Sequence, residues 1–239
     1  MAEPCVVASC HVERLLDDDA WGAFSRLQAR RPGGIEIAAL VRPPDPDAGE
    51  SESLWAARAR ISAARGPFGL HTHWGGATQA RPLDGDPAAL VRTQLDWLDE
   101  RGFQPRLFAG GGWYMDEATA LVLAERGVAD CTATAFRPEY LEPGVPRLEL
   151  DQPAVLRVGG TTLTELPATH SLGMAAGAAL RRLPDYVHVY FHDTDLLDAR
   201  RSRALAFALS VLGRRRPPKR LDRLEPVAEA EFSAAASAP

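Results

Sequence analysis

Residues 88–133 read AALVRTQLDWLDERGFQPRLFAGGGWYMDEATALVLAERGVADCTA, and they carry the pattern that decides the fold. Val91, Leu95 and Leu98 recur at helical spacing, and Gly102 follows them as a helix stop. RLFAGGGW is a short apolar run that ends in glycines, which predicts a strand and then a loop. A second helix closed by Gly127 and a second strand, VADCTA, come next. The stretch therefore predicts helix, strand, helix and strand in succession.

The same alternation continues on both sides of this stretch. Upstream we predict strands in CVVASC, IEIAALV and FGLHTHW, with helices over 21–30 and from about Leu54. Downstream, YVHVYFHDTD predicts a strand and ARRSRALAFALSVLG a helix. Such a repeat indicates a parallel sheet covered by helices, either doubly wound or a barrel. Because no GxGxxG or GxxxxGK[ST] motif follows the first strand, the barrel is favoured.

Two regions depart from the repeat. Between Arg137 and Pro167 prolines accumulate, and AVLRVGGTTLTEL predicts a hairpin that turns at Gly159 and Gly160. The last residues, 214–239, are first basic and then rich in Ala and Ser, which predicts a solvated, frayed tail. We therefore expect one domain over residues 1–213 and a flexible tail over 214–239.

Composition limits the classes of function. A formal net charge of −5 argues against a nucleic-acid binder, which usually carries a basic excess. The three cysteines, Cys5, Cys10 and Cys131, lack metal-finger spacing and are expected to be reduced and mostly buried. The amino terminus does not resemble a secretory signal, and no apolar run approaches the length of a membrane span. We expect a cytoplasmic protein without membrane or nucleic-acid partners.

Polar side chains gather where the predicted strands end. In parallel α/β folds, ligands bind outside the carboxyl ends of the strands. Side chains two residues apart on a strand share a face, so His11 with Glu13, and His71 with His73, could each chelate a first-row divalent ion such as zinc. The residues collected in this way are His11 and Glu13, His71 and His73, Gly110 to Trp113, and His192 with Asp193 and Asp195.

Several of these residues also allow a plain structural interpretation. His188, inside YVHVY, is expected to be a packing residue. His170 precedes a helix and could be a cap, a substrate contact or neither. Trp74 and Trp113 lie beside glycines, where an aromatic ring can belong to the core or can offer a stacking face to a sugar. The sequence leaves both interpretations open.

Taken in order, GPFGLHTHWGG, RLFAGGGWYMDEATALVLAERGVADCTA and YVHVYFHDTDLL resemble the motifs of the polysaccharide deacetylase family, the NodB-like carbohydrate esterases. The resemblance runs from Cys5 to about Leu212. It implies an irregular (β/α) barrel, with histidines that bind a metal, an aromatic residue in the cleft and a late histidine that acts as general acid. His71, Trp113 and His192 match those three positions, and Asp130 matches an acid after the next strand.

Three positions depart from the family pattern. His11 stands where the resemblance implies a base aspartate, which leaves Glu13 as the nearby carboxylate. The second metal histidine of the family falls on Gly75, while His73 lies two residues after His71. Ala109 replaces an arginine. The site is therefore either rebuilt or inactive, and His11, Glu13, His71 and His73 are sufficient ligands for a rebuilt one.

Three functions follow as hypotheses. The first is a metal-dependent hydrolase that removes an acetyl group from an N-acetylated sugar or related amide, with zinc, or alternatively cobalt or manganese, as the ion. Its expected catalytic groups are His11 or Glu13 as base and His192 as acid, oriented by Asp193 or Asp195. The expected substrate contacts are Trp74, Gly111, Gly112, Trp113, Asp195 and His170.

The second hypothesis is an inactive carbohydrate-binding protein on the same barrel. The third is a metal-dependent amidohydrolase of a small cytosolic metabolite.

Overall fold

The computed structural model describes residues 3–75, 79–82, 84–138, 141 and 147–232. In the described residues the helices are α1 (Asp18–Arg30), α2 (Glu52–Arg65), α3 (Pro87–Glu100), α4 (Glu117–Arg126), α5 (Leu172–Ala178) and α6 (Ala199–Arg215). The strands are β1 (Cys5–Val12), β2 (Ile37–Val41), β3 (Phe68–Thr72), β4 (Leu107–Gly110), β5 (Ala129–Asp130), β6 (Ala154–Val158), β7 (Thr161–Glu165), β8 (His170–Ser171), β9 (Tyr186–His192) and β10 (Ala228–Glu231). The predicted alternation of strands and helices is confirmed.

The strands form one sheet in the order β10-β6-β7-β5-β4-β3-β2-β1-β9-β8, and its central pairs are parallel. The short segment between β7 and β8 makes backbone hydrogen bonds to two distant parts of this sheet. On one side Leu166 N donates to Asp130 O, and Ala168 N donates to Ala133 O. On the other side Thr169 N donates to His188 O in β9. The same segment therefore links β5 to β9, as the (β/α) barrel prediction requires.

Alternation along β1 sorts its side chains into two layers. Val6, Ala8, Cys10 and Val12 belong to the large apolar cluster that packs beneath the helices. Cys5 and Val7 belong to a second buried cluster, together with side chains of β2, β4 and β9. This second cluster fills the centre of the barrel, so the opposite ends of its strands are left to present polar groups.

Short polar side chains begin the helices, as expected of N-cap residues. Ser51 caps α2, and Asp86 and Asp116 cap α3 and α4 by accepting hydrogen bonds from backbone N–H groups. Local boundaries differ from the sequence prediction by a few residues. The first helix begins at Asp18 rather than Trp21, and the residues after His192 form a 3-10 turn instead of continuing the strand.

The region beyond residue 213 differs from the prediction of a solvated tail. Leu221 is fully buried in the central cluster, and β10 pairs with β6 in parallel. An apolar residue and strand-forming backbone therefore hold residues 217–232 on the barrel, while residues 233–239 lie outside the described part. The boundary between domain and tail stays a prediction. The predicted hairpin is confirmed, since β6 and β7 are antiparallel and Gly159 and Gly160 both have positive φ angles.

Among the described residues, no helix is long and apolar enough to cross a membrane.

Candidate functional site

Three strands of the barrel bring Glu13, His71, His73 and His192 to one end. Glu13 follows β1 directly, His71 lies in β3 with His73 just after it, and His192 ends β9. β1 pairs with β9 so that His11 lies level with His192, and β2 separates β1 from β3. The carboxyl ends of parallel strands meet at one edge, so residues up to 179 positions apart in the chain become neighbours.

One oxygen of Glu13 is the centre of this group. Glu13 Oε1 lies 3.4 Å from His71 Nε2, 3.2 Å from His73 Nε2 and 3.6 Å from His192 Nε2. The ligand atoms of Glu13, His71 and His73 all lie within 4.8 Å of one another, and in the described residues they form a group that could hold a metal ion. One carboxylate and two imidazoles are a donor set that zinc commonly takes.

The hydrogen bond of the His71 ring tests whether a cation fits. His71 Nδ1 lies 2.9 Å from the carbonyl oxygen of Ala109, and a carbonyl only accepts, so Nδ1 carries the hydrogen. In the neutral ring Nε2 then presents a lone pair, and it has no hydrogen-bond partner among the described residues. That lone pair and Glu13 Oε1 are two acceptors that face each other. A cation between them satisfies both, and an Nδ1–H donated to a carbonyl is typical of histidines that bind metals.

The surroundings shift the ionisation of this group. Burial lowers the pKa of His71, and the Glu13 carboxylate opposes that effect only in part. Burial by itself raises the pKa of Glu13, but neighbouring histidines, His73 and His192 among them, outweigh it, and the pKa of Glu13 lies well below its ordinary value. The site thus combines an ionised carboxylate with a buried neutral imidazole, which are the forms that bind metals.

His11 occupies the layer beneath this group. Its ring is 3% exposed and stacks on His71, with 4.5 Å between the ring centroids. His192 packs edge-on against it at 5.2 Å. Burial, followed by the charges of His71 and His192, holds the pKa of His11 well below its ordinary value. His11 lies outside the three-residue group found in the described residues, so its predicted role as a metal ligand is not part of that group.

The two acidic residues after β9 have different partners. Asp193 is buried and accepts hydrogen bonds from the backbone N–H groups of Arg14 and Thr194, and burial raises the pKa of this carboxyl to about 6. Asp195 accepts the backbone N–H of His192 at 2.9 Å, and its carboxylate lies 3.9 Å from His192 Nδ1. Of the two predicted to orient His192, Asp195 is beside the ring, whereas Asp193 anchors the chain next to Glu13.

The glycine-rich turn after β4 is shaped by close packing. A Cβ atom on Gly111 would lie 2.7 Å from Thr72 O, and Gly112 has a φ of 63°. Trp113 itself has a φ of 61°, which is unusual for an aromatic residue. Its buried ring packs against Tyr190 at 4.7 Å and His11 at 5.7 Å. The turn therefore places Trp113 over His11, and the substrate contacts expected of Gly111 and Gly112 stay predictions.

Three other predicted residues lie around the group. Trp74 is buried, and its Nε1 donates to Gly111 O at 3.0 Å, so it packs under the glycine turn. His170 lies in β8, where Thr169 Oγ1 is 2.8 Å from its Nδ1. Asp130 is buried against Glu165 on the neighbouring β7. The substrate contacts expected of Trp74, Trp113 and His170 stay predictions.

Two cavities flank the group. One, of about 440 Å³, is lined by His73, Trp74 and the 42–47 loop. The other, of about 600 Å³, is lined by His192, Asp195 and the aromatic pair Phe136 and Tyr190. Since His73 and His192 both approach Glu13 Oε1, this carboxylate lies between the two cavities. A substrate could extend to either side of it.

Sequence reasoning missed Arg42. Its Nε donates to Glu13 O at 3.1 Å, and its Nη2 pairs with Glu50 at 2.6 Å. Arg42 is buried and thereby ties the loop after β2 to the backbone of Glu13. Side chains two residues apart on a strand share a face, so Arg42 lies on the same face as Leu40, which points toward the barrel centre. This spacing is the sequence signal that could have indicated a buried role for Arg42.

No family model and no curated protein match the sequence. Among solved structures, 4-α-glucanotransferase from Thermococcus litoralis matches with a TM-score of 0.63 and 11% identity, over 98% of this chain and 43% of that chain. A family 4 carbohydrate esterase from Streptomyces lividans, in complex with acetate, matches with a TM-score of 0.50 and 10% identity, over 89% of this chain and 91% of that one. The fold is the deacetylase-type (β/α) barrel. The chain spans less than half the length of the glucanotransferase.

Proposed function

We propose that the protein is a metal-dependent hydrolase that removes an acetyl group from an N-acetylated sugar or a related amide. The observation that carries the proposal is the contact between two acceptors, the His71 Nε2 lone pair and Glu13 Oε1, 3.4 Å apart beside His73. Two acceptors at this distance repel each other, and a cation between them would satisfy both. The deacetylase-type fold supports the choice of chemistry.

The residues have distinct roles in this proposal. Glu13, His71 and His73 would hold a divalent ion, with zinc preferred and cobalt or manganese as alternatives. Such an ion supplies Lewis-acid polarisation of a carbonyl oxygen. His192 has a partly exposed side chain at the mouth of the 600 Å³ cavity, where it can protonate a leaving amine. Asp195 holds the backbone of His192. With Glu13 assigned to the ion, His11 remains as the base.

Elemental analysis tests the metal site. Wild-type protein, His71→Ala and His73→Ala are exposed to zinc, cobalt and manganese, freed of excess metal and analysed, with His170→Ala as the control histidine outside the group. We expect about one ion per chain in the wild type and the control, and loss of the ion in both site variants. Metal-free wild-type protein, or equal metal in all four proteins, contradicts the site.

Acetate release tests the reaction. Zinc-loaded protein is incubated with N-acetylated amino sugars and their oligomers, and we expect acetate release that chelation abolishes and metal restores. Sugar binding that is insensitive to chelator, with no release from any substrate, would instead favour a binding protein on this barrel. A deletion strain that accumulates one unhydrolysed amide metabolite would favour the third hypothesis, a small-molecule amidohydrolase.

A further inference from the structure

The cavity beside His192 is lined by aromatic rings and guanidinium groups that have no role in the proposed reaction. One wall is aromatic: Phe136 and Tyr190 stack with an interplanar angle of 11° and 5.9 Å between centroids. Arg137 and Arg201 also line the cavity. Removing an acetyl group requires no cation at this position, so these guanidinium groups call for a separate explanation.

Arg201 is held in place by Asp195. Arg201 Nη2 lies 2.8 Å from Asp195 Oδ1, while the other oxygen, Asp195 Oδ2, accepts the backbone N–H of His192. The Arg201 side chain is nevertheless 57% exposed and lines the cavity, and a guanidinium carries five N–H donors, more than its contact with one Asp195 oxygen uses. A guanidinium that is already oriented by a carboxylate loses less side-chain entropy when it binds a second anion.

The two cavities differ in charge. The described residues that line the His192 cavity include two arginines, Arg137 and Arg201, and one acidic residue, Asp195. The cavity beside His73 has the reverse balance, with Asp45 and Asp47 against Arg42, and Arg42 is already paired with Glu50. In a chain whose formal net charge is −5, an anion is thus favoured on the His192 side of Glu13.

We propose that the 600 Å³ cavity beside His192 binds a carboxylate carried by the substrate, through the guanidinium of Arg201. The inference rests on the proposed function and narrows its substrate class to sugars or related amides that bear an acidic group next to the acetylated one. A planar guanidinium binds a carboxylate with two parallel hydrogen bonds. The Phe136 and Tyr190 rings supply a face for the apolar side of the ring that carries this carboxylate.

Binding of trigalacturonic acid and of its neutral methyl ester tests the proposal without requiring hydrolysis. The two probes differ in charge and not in ring structure. Binding is measured by calorimetry on protein stripped of metal and then freed of chelator, so that no carboxylate can bind through an ion. We expect the acid to bind roughly 5- to 10-fold more tightly than the ester at low salt. Equal affinities, or no binding of the acid at millimolar concentration, overturn the proposal.

Variants of Arg201 locate the effect. Arg201→Gln should abolish the difference between acid and ester, and Arg201→Lys should restore part of it because the positive charge is kept. Arg203→Gln is the matched control, since Arg203 lies on the same helix but lines a different groove between α1 and α6. Unchanged melting temperatures show that the variants fold. If Arg203→Gln loses the difference in affinity between acid and ester as fully as Arg201→Gln does, the assignment of carboxylate binding to Arg201 is overturned.

Two further measurements separate this inference from the proposed function. Sodium acetate is added as a competitor. Weak displacement of the acid probe by a large excess of acetate is expected of any carboxylate at Arg201, whereas displacement by acetate at concentrations similar to that of the probe shows that the cavity takes free acetate and overturns the substrate-borne carboxylate. Acetate release from uncharged N-acetylated oligomers, which do not need Arg201, is measured with metal-loaded protein. Loss of that release contradicts the hydrolase, whereas loss of acid binding contradicts the carboxylate cavity.

Discussion

Position determines what the polar side chains of this barrel do. Glu13 and Glu165 are the same residue type, yet burial raises the pKa of Glu165 well above its ordinary value, while neighbouring histidines hold the pKa of Glu13 well below its ordinary value. Glu165 has Asp130 beside it, and both are fully buried. Two buried carboxyl groups that share a hydrogen bond cannot both ionise, so one proton lies between Asp130 and Glu165. Asp130 and Glu165 therefore hold β5 to β7 as a protonated pair.

Replacement of Asp130 by Asn removes the shared proton. Because the folded pKa values are raised, the pair contributes stability at low pH that is lost as pH rises through those values. In Asp130→Asn the amide can donate permanently to Glu165, and its oxygen can still accept the N–H of Thr132. We expect the variant to gain roughly 1 kcal/mol relative to wild type between pH 5 and pH 8, measured by urea unfolding at both pH values.

An equal difference between wild type and Asp130→Asn at the two pH values would contradict the shared proton. Asp185→Asn is the control: Asp185 is exposed, and it precedes β9. Its substitution should leave the pH dependence of unfolding unchanged.

Elements of this fold start at residues that accept backbone hydrogen bonds. Asp116 joins the glycine turn to α4: its Oδ1 accepts Thr119 N at 2.7 Å, and its Oδ2 accepts the hydroxyl of Tyr114 at 2.8 Å. Tyr114 packs edge-on against Trp74 beneath that turn. The cap of one helix and the turn that carries Trp113 are thus tied to one carboxylate.

Removal of this carboxylate should weaken both features. Asp116→Ala is expected to lower the free energy of unfolding by about 1 to 2 kcal/mol, because it removes an N-cap and a half-buried hydrogen bond from the Tyr114 hydroxyl together. Asp116→Asn keeps an acceptor for Thr119 N and should recover most of the loss. Glu117→Ala, an exposed change one residue later, is the control. Equal unfolding free energies for Asp116→Ala and Glu117→Ala would contradict this role.

At the scale of the whole molecule, the barrel centre is graded from apolar to polar. Leu221 lies at the amino-terminal end of the strands, Val7 and then Ser9 follow along β1, and Glu13 is at the other end. His188 lies in this column as a packing residue, as predicted. It is fully buried, its Nε2 lies 2.8 Å from Ser9 Oγ, and its Nδ1 lies 3.1 Å from Pro167 O. The barrel can bury it only in the neutral form.

Acid should therefore unfold the barrel partly through His188. Burial lowers its pKa from 6.5 to about 4, so the unfolded chain binds the proton more tightly. The resulting stability is present above pH 6.5 and is lost as pH falls through about 4, with a size on the order of 3 kcal/mol. His188→Gln should make the unfolding free energy less steep between these pH values. Equal slopes for wild type and His188→Gln would contradict the prediction.

The order of elements could be predicted from sequence because helical and strand periodicities are local properties. The residues 88–133 and the hairpin at Gly159 and Gly160 were predicted with the correct types. The prediction of a frayed tail was wrong for β10 and Leu221, because their stability comes from β6 and the barrel centre, which are distant in sequence. Arg42 was missed for the same reason: its partners are Glu13 and Glu50.

The sequence by itself determined the alternating elements and the residue types at the strand ends, since both follow from spacing along the chain. Only the tertiary structure decided that Glu13 Oε1 faces three histidine nitrogens, that His11 lies beneath them and that Asp195 rather than Asp193 approaches the His192 ring. The physical reason is that metal binding and proton transfer depend on distances of a few ångströms between side chains from different strands, and strand register and barrel closure set those distances.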